Sequence, residues 1–175
     1  MYALVDAWEG VRNFMDQGGP VLLAIAVLIF LMWTLIFERI WYFRFALPRD
    51  IDAALAVWEA RAERKSKRAH QVREALISRV CEKIDQSMPM IKTLVALAPL
   101  FGLLGTVTGM VSVFEIMAIT GGGDAKSMSA GVSRATIPTM SGMVAALSGV
   151  FGHTYLERIA NREKRLLEDH LTMDH

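Results

Sequence analysis

Cysteine is almost absent from this chain, and so are the patterns that bind metals. Cys81 is the single cysteine among 175 residues, so no disulfide can form within one chain. Its position in a charged segment indicates a reducing compartment. The histidines lack the spacing of a ligand cluster, so the sequence predicts neither a metal site nor a cofactor. They are His70, His153, His170 and His175.

The signatures of soluble enzymes and of nucleic-acid-binding proteins are missing as well. No glycine-rich phosphate loop and no nucleophile–base arrangement can be recognised, so an enzyme is not expected. The β-branched alternation typical of strands is also missing, which favours helices throughout. A basic run extends from Arg61 to Arg73, but no aromatic side chain interrupts it. We interpret that run as a solvated surface rather than a nucleic-acid site.

Long apolar runs are what the chain does have. Hydrophobic residues make up 53% of it, and its mean hydropathy is +0.34. A helix needs about 20 apolar residues to cross a bilayer. The sequence therefore predicts an all-α membrane protein with three transmembrane helices, at 20–42, 93–119 and 131–156. The remaining segments are predicted to be an amphipathic helix at 1–19, a helical region at 43–92, a loop at 120–130 and a tail at 157–175.

Positive charge is distributed unevenly between these segments. Most of the 19 Lys and Arg residues lie between Arg39 and Lys92. Loops rich in Lys and Arg stay in the cytoplasm. The sequence therefore predicts a periplasmic N-terminus and a cytoplasmic C-terminus. The arm at 1–19 is expected to lie in the membrane interface or to pack on protein. Pro48 is predicted to break the chain, with Asp50 capping the next helix.

Small residues recur on one face of the second and third predicted spans. Such faces let helix backbones approach closely in a membrane. The helix-packing glycines predicted here are Gly102, Gly105, Gly109, Gly142 and Gly149. Pro99 and Pro138 interrupt the hydrogen bonding of the two helices. From the glycines alone, a generic tight crossing explains the pattern as well as a functional one does.

The threonines of the second and third predicted spans include Thr106, Thr136 and Thr139. Hydroxyls at membrane depth either bond to their own helix or line a hydrated path. Counted from the ends of the apolar segments, Thr106 and Thr139 lie at depths of about 18 and 25 Å. This count predicts that they share one path without touching each other.

Two charged residues also lie within the predicted spans. Glu115 lies near the end of the second span and Arg134 near the start of the third. An isolated charge in the membrane is costly, which favours a partner or water. We predict that the two residues pair within or between subunits. The alternative is that both reach the outer headgroups.

The spans carry motifs that are similar to a known family. Ala-Pro-Leu-x-Gly-Leu-Leu-Gly-Thr-Val-x-Gly-Met, at 98–110, resembles the second transmembrane helix of the MotA/TolQ/ExbB proton-channel family. Gly-Val-Ser-x-Ala-x-x-x-Thr-x-x-Gly, at 131–142, resembles the start of its third. The resemblance implies that Thr106 and Thr139 line the interior of an oligomer. Arg134 stands where the family commonly has a glutamate, so that proton-handling role does not carry over.

The resemblance also implies a function and partners. It implies a proton-channel or stator subunit of the bacterial inner membrane, assembled as a homo-oligomer. The family's pentamer surrounds two helices of a single-span ExbD-like partner, which carries an essential aspartate. Chain length is most similar to the ExbB branch, which drives TonB-dependent nutrient import. A TolQ-like subunit with a TolR-like partner is the alternative, and so is a passive scaffold.

Overall fold

The computed structural model describes residues 2–61, 66–121 and 125–171. Within these ranges every regular element is helical and no strand occurs, which confirms the prediction of an all-helical chain. The helices are α1 (Tyr2–Trp41), α2 (Leu47–Glu59), α3 (Lys67–Asp85), α4 (Met88–Thr120) and α5 (Ala125–His170). One π-helical segment, Tyr42–Ala46, joins α1 to α2.

Among the residues that the structure describes, three helical stretches are long and apolar enough to cross a membrane, as predicted. They lie within Gly19–Glu59, Lys67–Ile119 and Met128–His170. The helices extend beyond the apolar runs. α4 already begins at Met88, and α5 continues to His170. The predicted amphipathic helix at 1–19 is only partly covered, because the side chains at 1–8, 14 and 16–18 lie outside the described set. Part of the basic run, at 62–65, also lies outside it.

The first compact unit comprises Met1–Met32 and Thr93–Val150. Its core contains Ile25 and Leu28 of α1 against Ala98 of α4 and Ala145 of α5. α1 kinks at Gly19, whose φ of 64° lies in the left-handed region that glycine adopts at little cost. Pro20 follows at the start of the second half of the helix, where its missing N–H is tolerated.

The second compact unit comprises Trp33–Lys92 and Phe151–His175. Buried apolar side chains of α2, α3 and α5, together with the residue that follows α5, form its core. They are Leu47, Ala54, Trp58, Ala69, Val80, Ile84, Ala160, Leu167 and Leu171. The Ser66 hydroxyl caps α3 by accepting a hydrogen bond from the Ala69 N–H at 3.2 Å.

The predicted break at Pro48 and the predicted cap at Asp50 are wrong. The chain continues from the π-helical segment into α2, because a proline is tolerated in the first turn of a helix. Asp50 instead accepts hydrogen bonds from the Tyr42 hydroxyl at 2.8 Å and from Lys83 Nζ at 2.7 Å. The bond from Lys83 is the main reason that the pKa of Asp50 is lowered.

A buried arginine joins α1 to the end of α3. Arg39 is 3% exposed and donates to the Lys83 carbonyl at 2.9 Å and to the Ser87 hydroxyl at 2.8 Å. Its Nε lies 3.1 Å from a Glu38 carboxylate oxygen without hydrogen-bond geometry, so that pairing is electrostatic. The guanidinium therefore satisfies a backbone carbonyl and also neutralises a neighbouring acid.

Candidate functional site

The seam between α4 and α5 has no room for side chains at its glycines. A Cβ added at Gly142 would lie 2.5 Å from the Ala98 carbonyl oxygen, and one at Gly102 would lie 3.0 Å from the Pro138 carbonyl oxygen. Both obstacles are backbone atoms, which cannot rotate away. The glycines therefore let the two backbones approach to within direct contact.

The remaining predicted packing glycines also lie at contacts between helices of one chain. Gly105 faces the Pro138 ring, and a Cβ added at Gly109 would lie 2.7 Å from the Ala135 Cβ. Gly149 lies against Met32 of α1. Pro138 is buried inside α5, whereas Pro99 is exposed inside α4.

Thr106 and Thr139 meet at this seam. The Thr139 hydroxyl donates to the Gly102 carbonyl of the neighbouring helix at 2.9 Å. The Thr106 hydroxyl forms a hydrogen bond with the Thr139 hydroxyl and lies 3.4 Å from the same carbonyl. Both threonines are half-buried. Two hydroxyls and one carbonyl therefore form a cluster that crosses from α4 to α5.

The prediction that these threonines do not touch is wrong. It counted depth from the ends of the two apolar segments and treated those ends as one level. The apolar segments, however, do not coincide with the helices, which begin earlier in α4 and continue later in α5. Close approach at Gly102 brings the two side chains together.

The threonine cluster has free acceptor positions to which a hydrogen-bond donor can bind. A threonine hydroxyl donates one hydrogen bond and can accept two. When Thr139 donates to Gly102, Thr106 can donate to Thr139 and keep its own acceptor positions for a water or a protonated carboxyl. The sequence reasoning placed Gly102 at a helix contact but missed its carbonyl as the acceptor that joins the two threonines. The signal for it was a glycine one helical turn before Thr106.

The third predicted threonine lies apart from this cluster. Thr136 is exposed, and its hydroxyl donates to the Ser133 carbonyl of its own helix at 2.8 Å. This is the local bonding that serine and threonine hydroxyls commonly make in helices. A place for Thr136 on the proton path stays a prediction.

Glu115 and Arg134 are both exposed. In the described part of a single chain they form no ion pair with each other. Arg134 lines a cavity of about 310 Å³ together with Thr108, Ser112 and Pro138. Both hydroxyls of this cavity donate to carbonyls of their own helix. Pairing of Glu115 with Arg134 between subunits stays a prediction.

Comparison with known proteins identifies relatives of this chain. It is 28% identical over 163 residues to a putative biopolymer transport protein, ExbB-like 1, of Synechocystis, covering 75% of this chain and 64% of that protein. It is 30% identical over 96 residues to the Tol-Pal system protein TolQ of Pseudomonas aeruginosa, covering 55% and 40%. It is 32% identical over 75 residues to the biopolymer transport protein ExbB of Helicobacter pylori, covering 43% and 52%.

The chain thus spans less than two thirds of the length of each of these relatives. The family model for MotA/TolQ/ExbB proton channels matches residues 47–169, which include both helices of the threonine cluster. Because this match extends over most of the sequence, the protein belongs to the MotA/TolQ/ExbB proton channel family.

Proposed function

We propose that this chain is an ExbB-like subunit of a proton-driven complex in the bacterial inner membrane. It couples the proton gradient to TonB-dependent import of nutrients such as iron complexes through the outer membrane. The observation that carries the proposal is the hydroxyl cluster of Thr106 and Thr139 on the Gly102 carbonyl, inside the region that matches the family model.

In the proposed proton path, this chain supplies the neutral hydrogen-bonding groups and a partner protein supplies the titratable group. Arg134 stays cationic at any accessible pH and cannot relay a proton. A carboxyl group from an ExbD-like single-span partner completes the path. When protonated, this group donates to Thr106, and when ionised it accepts from a threonine hydroxyl or from water. The partner helices then move as their charge changes.

Assembly into a homo-oligomer, a pentamer as in the family, supplies the cavity for those partner helices. Large apolar side chains of α4 and α5 stay exposed in the single chain, and they suit lipid or further copies of the chain. They include Leu100, Leu103, Val107, Met140, Val144 and Leu147. The excess of Lys and Arg between Arg39 and Lys92 supports a periplasmic N-terminus and a cytoplasmic C-terminus.

Two further functions have an observation in their favour. The TolQ relative, at 30% identity, supports a TolQ-like subunit that energises constriction of the envelope. The direct bonding of the threonines to each other and to Gly102 supports a passive scaffold, in which the hydroxyls only hold α4 to α5.

Reconstitution tests these alternatives. The chain is co-expressed with an ExbD-type or a TolR-type single-span protein, purified and placed in vesicles that contain a pH-sensitive dye. We expect co-purification with the ExbD-type protein and proton flux that depends on both components. Preferential co-purification with the TolR-type protein would select the TolQ-like function. An assembled complex without proton flux would select the scaffold.

A further inference from the structure

The second compact unit contains a cavity of about 360 Å³ that the proposed threonine path does not use. It lies between the end of α3, the start of α4 and the later part of α5. Pockets for small ligands measure about 300–1,000 Å³, so this cavity can hold a small polar group. Its polar lining side chains are Asp85, Lys92, His153, Glu157, Asn161 and Lys164, and all of them belong to this unit.

The sequence places this cavity at the edge of the membrane. Residues 93–114 of α4 and 135–156 of α5 contain no Asp, Glu, Lys or Arg, and each stretch is long enough to cross the hydrocarbon. Lys92 directly precedes the first stretch and Glu157 directly follows the second. Both residues line the cavity. Because charged side chains next to a span lie at its polar boundary, the cavity lies at the level of the lipid headgroups.

The cavity presents a cation and an anion that do not pair with each other. Lys164 and Asp85 form an ion pair at 2.5 Å and so neutralise each other. Among the residues that the structure describes, the side chains of Lys92, Glu157 and Asn161 take part in no ion pair or hydrogen bond. One positive group, one negative group and one amide are therefore available to a ligand.

This combination favours a ligand that carries both charges. Glu157 would repel a phosphate ion, and Lys92 would repel a metal cation. A phospholipid headgroup with a phosphate and an ammonium satisfies both side chains. The primary ammonium of ethanolamine has three N–H donors for a carboxylate, whereas the quaternary ammonium of choline has none. An ethanolamine headgroup therefore fits the lining better than a choline headgroup.

We propose that this cavity binds the headgroup of a phospholipid of the phosphatidylethanolamine class. Lys92 donates to the phosphate, and the Glu157 carboxylate accepts from the ammonium. Asn161 follows Glu157 by one helical turn, so its amide oxygen accepts from the same ammonium. The half-buried His153 ring supplies a further donor for the phosphate. This lipid site does not depend on proton transport.

Native mass spectrometry of the full chain, purified in detergent, tests the proposal. Phosphatidylethanolamine, phosphatidylcholine and phosphatidylglycerol with identical acyl chains are added in turn. We expect the ethanolamine lipid to bind about 5-fold more tightly than the other two, the effect of one partly solvated ion pair. Glu157→Gln should abolish the preference for ethanolamine over choline. Lys92→Gln should weaken the binding of both zwitterionic lipids to a similar degree, whereas Lys92→Arg should retain it.

Glu168→Gln and Lys67→Gln are the matched controls, because both residues are exposed and neither lines the cavity. Both variants should bind the lipids as the wild type does. Equal affinity of the wild type for the three lipids would overturn the proposal, and so would an unchanged preference in Glu157→Gln.

Water-soluble glycerophosphoethanolamine distinguishes a lipid site from a site for a free headgroup. We expect it not to displace the ethanolamine lipid at equal concentration, because it lacks the acyl chains that the bilayer holds beside the cavity. Displacement at equal concentration would show a site for a soluble ligand and would overturn the lipid site.

Discussion

The substitution Thr139→Val distinguishes a proton path from a passive scaffold, because the two functions predict losses of proton flux of different size. Valine keeps the shape of threonine and removes its hydroxyl, which donates to the Gly102 carbonyl and bonds the Thr106 hydroxyl. Hydrogen bonds between membrane helices are worth about 0.6 kcal/mol on average and about 1.7 kcal/mol at most. Loss of one such hydrogen bond therefore changes the packing equilibrium of α4 and α5 by about 3-fold, and by less than about 20-fold at the extreme.

On the proposed proton path, transfer would depend on the same hydroxyl much more steeply. A missing positioned group slows transfer by about 10²–10⁴-fold. We therefore expect Thr139→Val, and more so its double variant with Thr106→Val, to assemble almost normally and to lose at least 10-fold of proton flux and of nutrient uptake. Thr139→Ser keeps the hydroxyl and should retain most of both activities.

Assembly and flux are measured on the same preparation, by size-exclusion chromatography and by a pH-sensitive dye in vesicles. Thr108→Val is the matched control. The Thr108 hydroxyl donates only to carbonyls of its own helix, at 3.0 Å to Leu104 and 3.1 Å to Gly105. Normal flux in the double valine variant would refute the threonine path and favour the scaffold.

Three further predictions concern topology, packing and charge. An impermeant thiol reagent should label Cys81 only from the cytoplasmic side, and slowly, since burial raises the pKa of this thiol; labelling in intact cells would refute the three-span topology. Gly142→Ala should lower the free energy of unfolding by about 1–3 kcal/mol, because the added methyl group meets a backbone oxygen. Thermal unfolding of the detergent-solubilised protein measures this effect. Gly10→Ala, with open space around the added methyl group, should not lower it. Glu115→Gln and Arg134→Gln should each impair uptake, with the double variant closer to wild type; additive effects in the cycle would show that the two residues act separately.

Much of the fold can be predicted from the sequence, because it follows from patterns of residues along the chain. Three apolar runs long enough to span a bilayer predict three membrane helices. The missing strand alternation predicts helices elsewhere. The glycines of α4 and α5 predict close helix contacts, and the structure has such contacts at Gly102 and Gly142.

The parts that sequence reasoning got wrong depend on how separate segments meet. Nothing local in the chain shows that Asp50 bonds Lys83 of another helix rather than capping its own. Nor does the sequence show that Arg39 is buried, because its acceptors are the Lys83 carbonyl and the Ser87 hydroxyl, far away along the chain. The relative level of Thr106 and Thr139 depends on where α4 and α5 cross, which residue counting cannot determine.

The placement of titratable groups decides how this chain can take part in proton transport. The threonine cluster offers two hydroxyls, which both donate and accept hydrogen bonds, and one backbone carbonyl, which only accepts them. Arg134 adds a permanent positive charge, which disfavours a stored proton nearby. On the proposed function, the charge change that drives movement occurs on the carboxyl group of the partner, and the threonine hydroxyls of this chain guide the proton to that group.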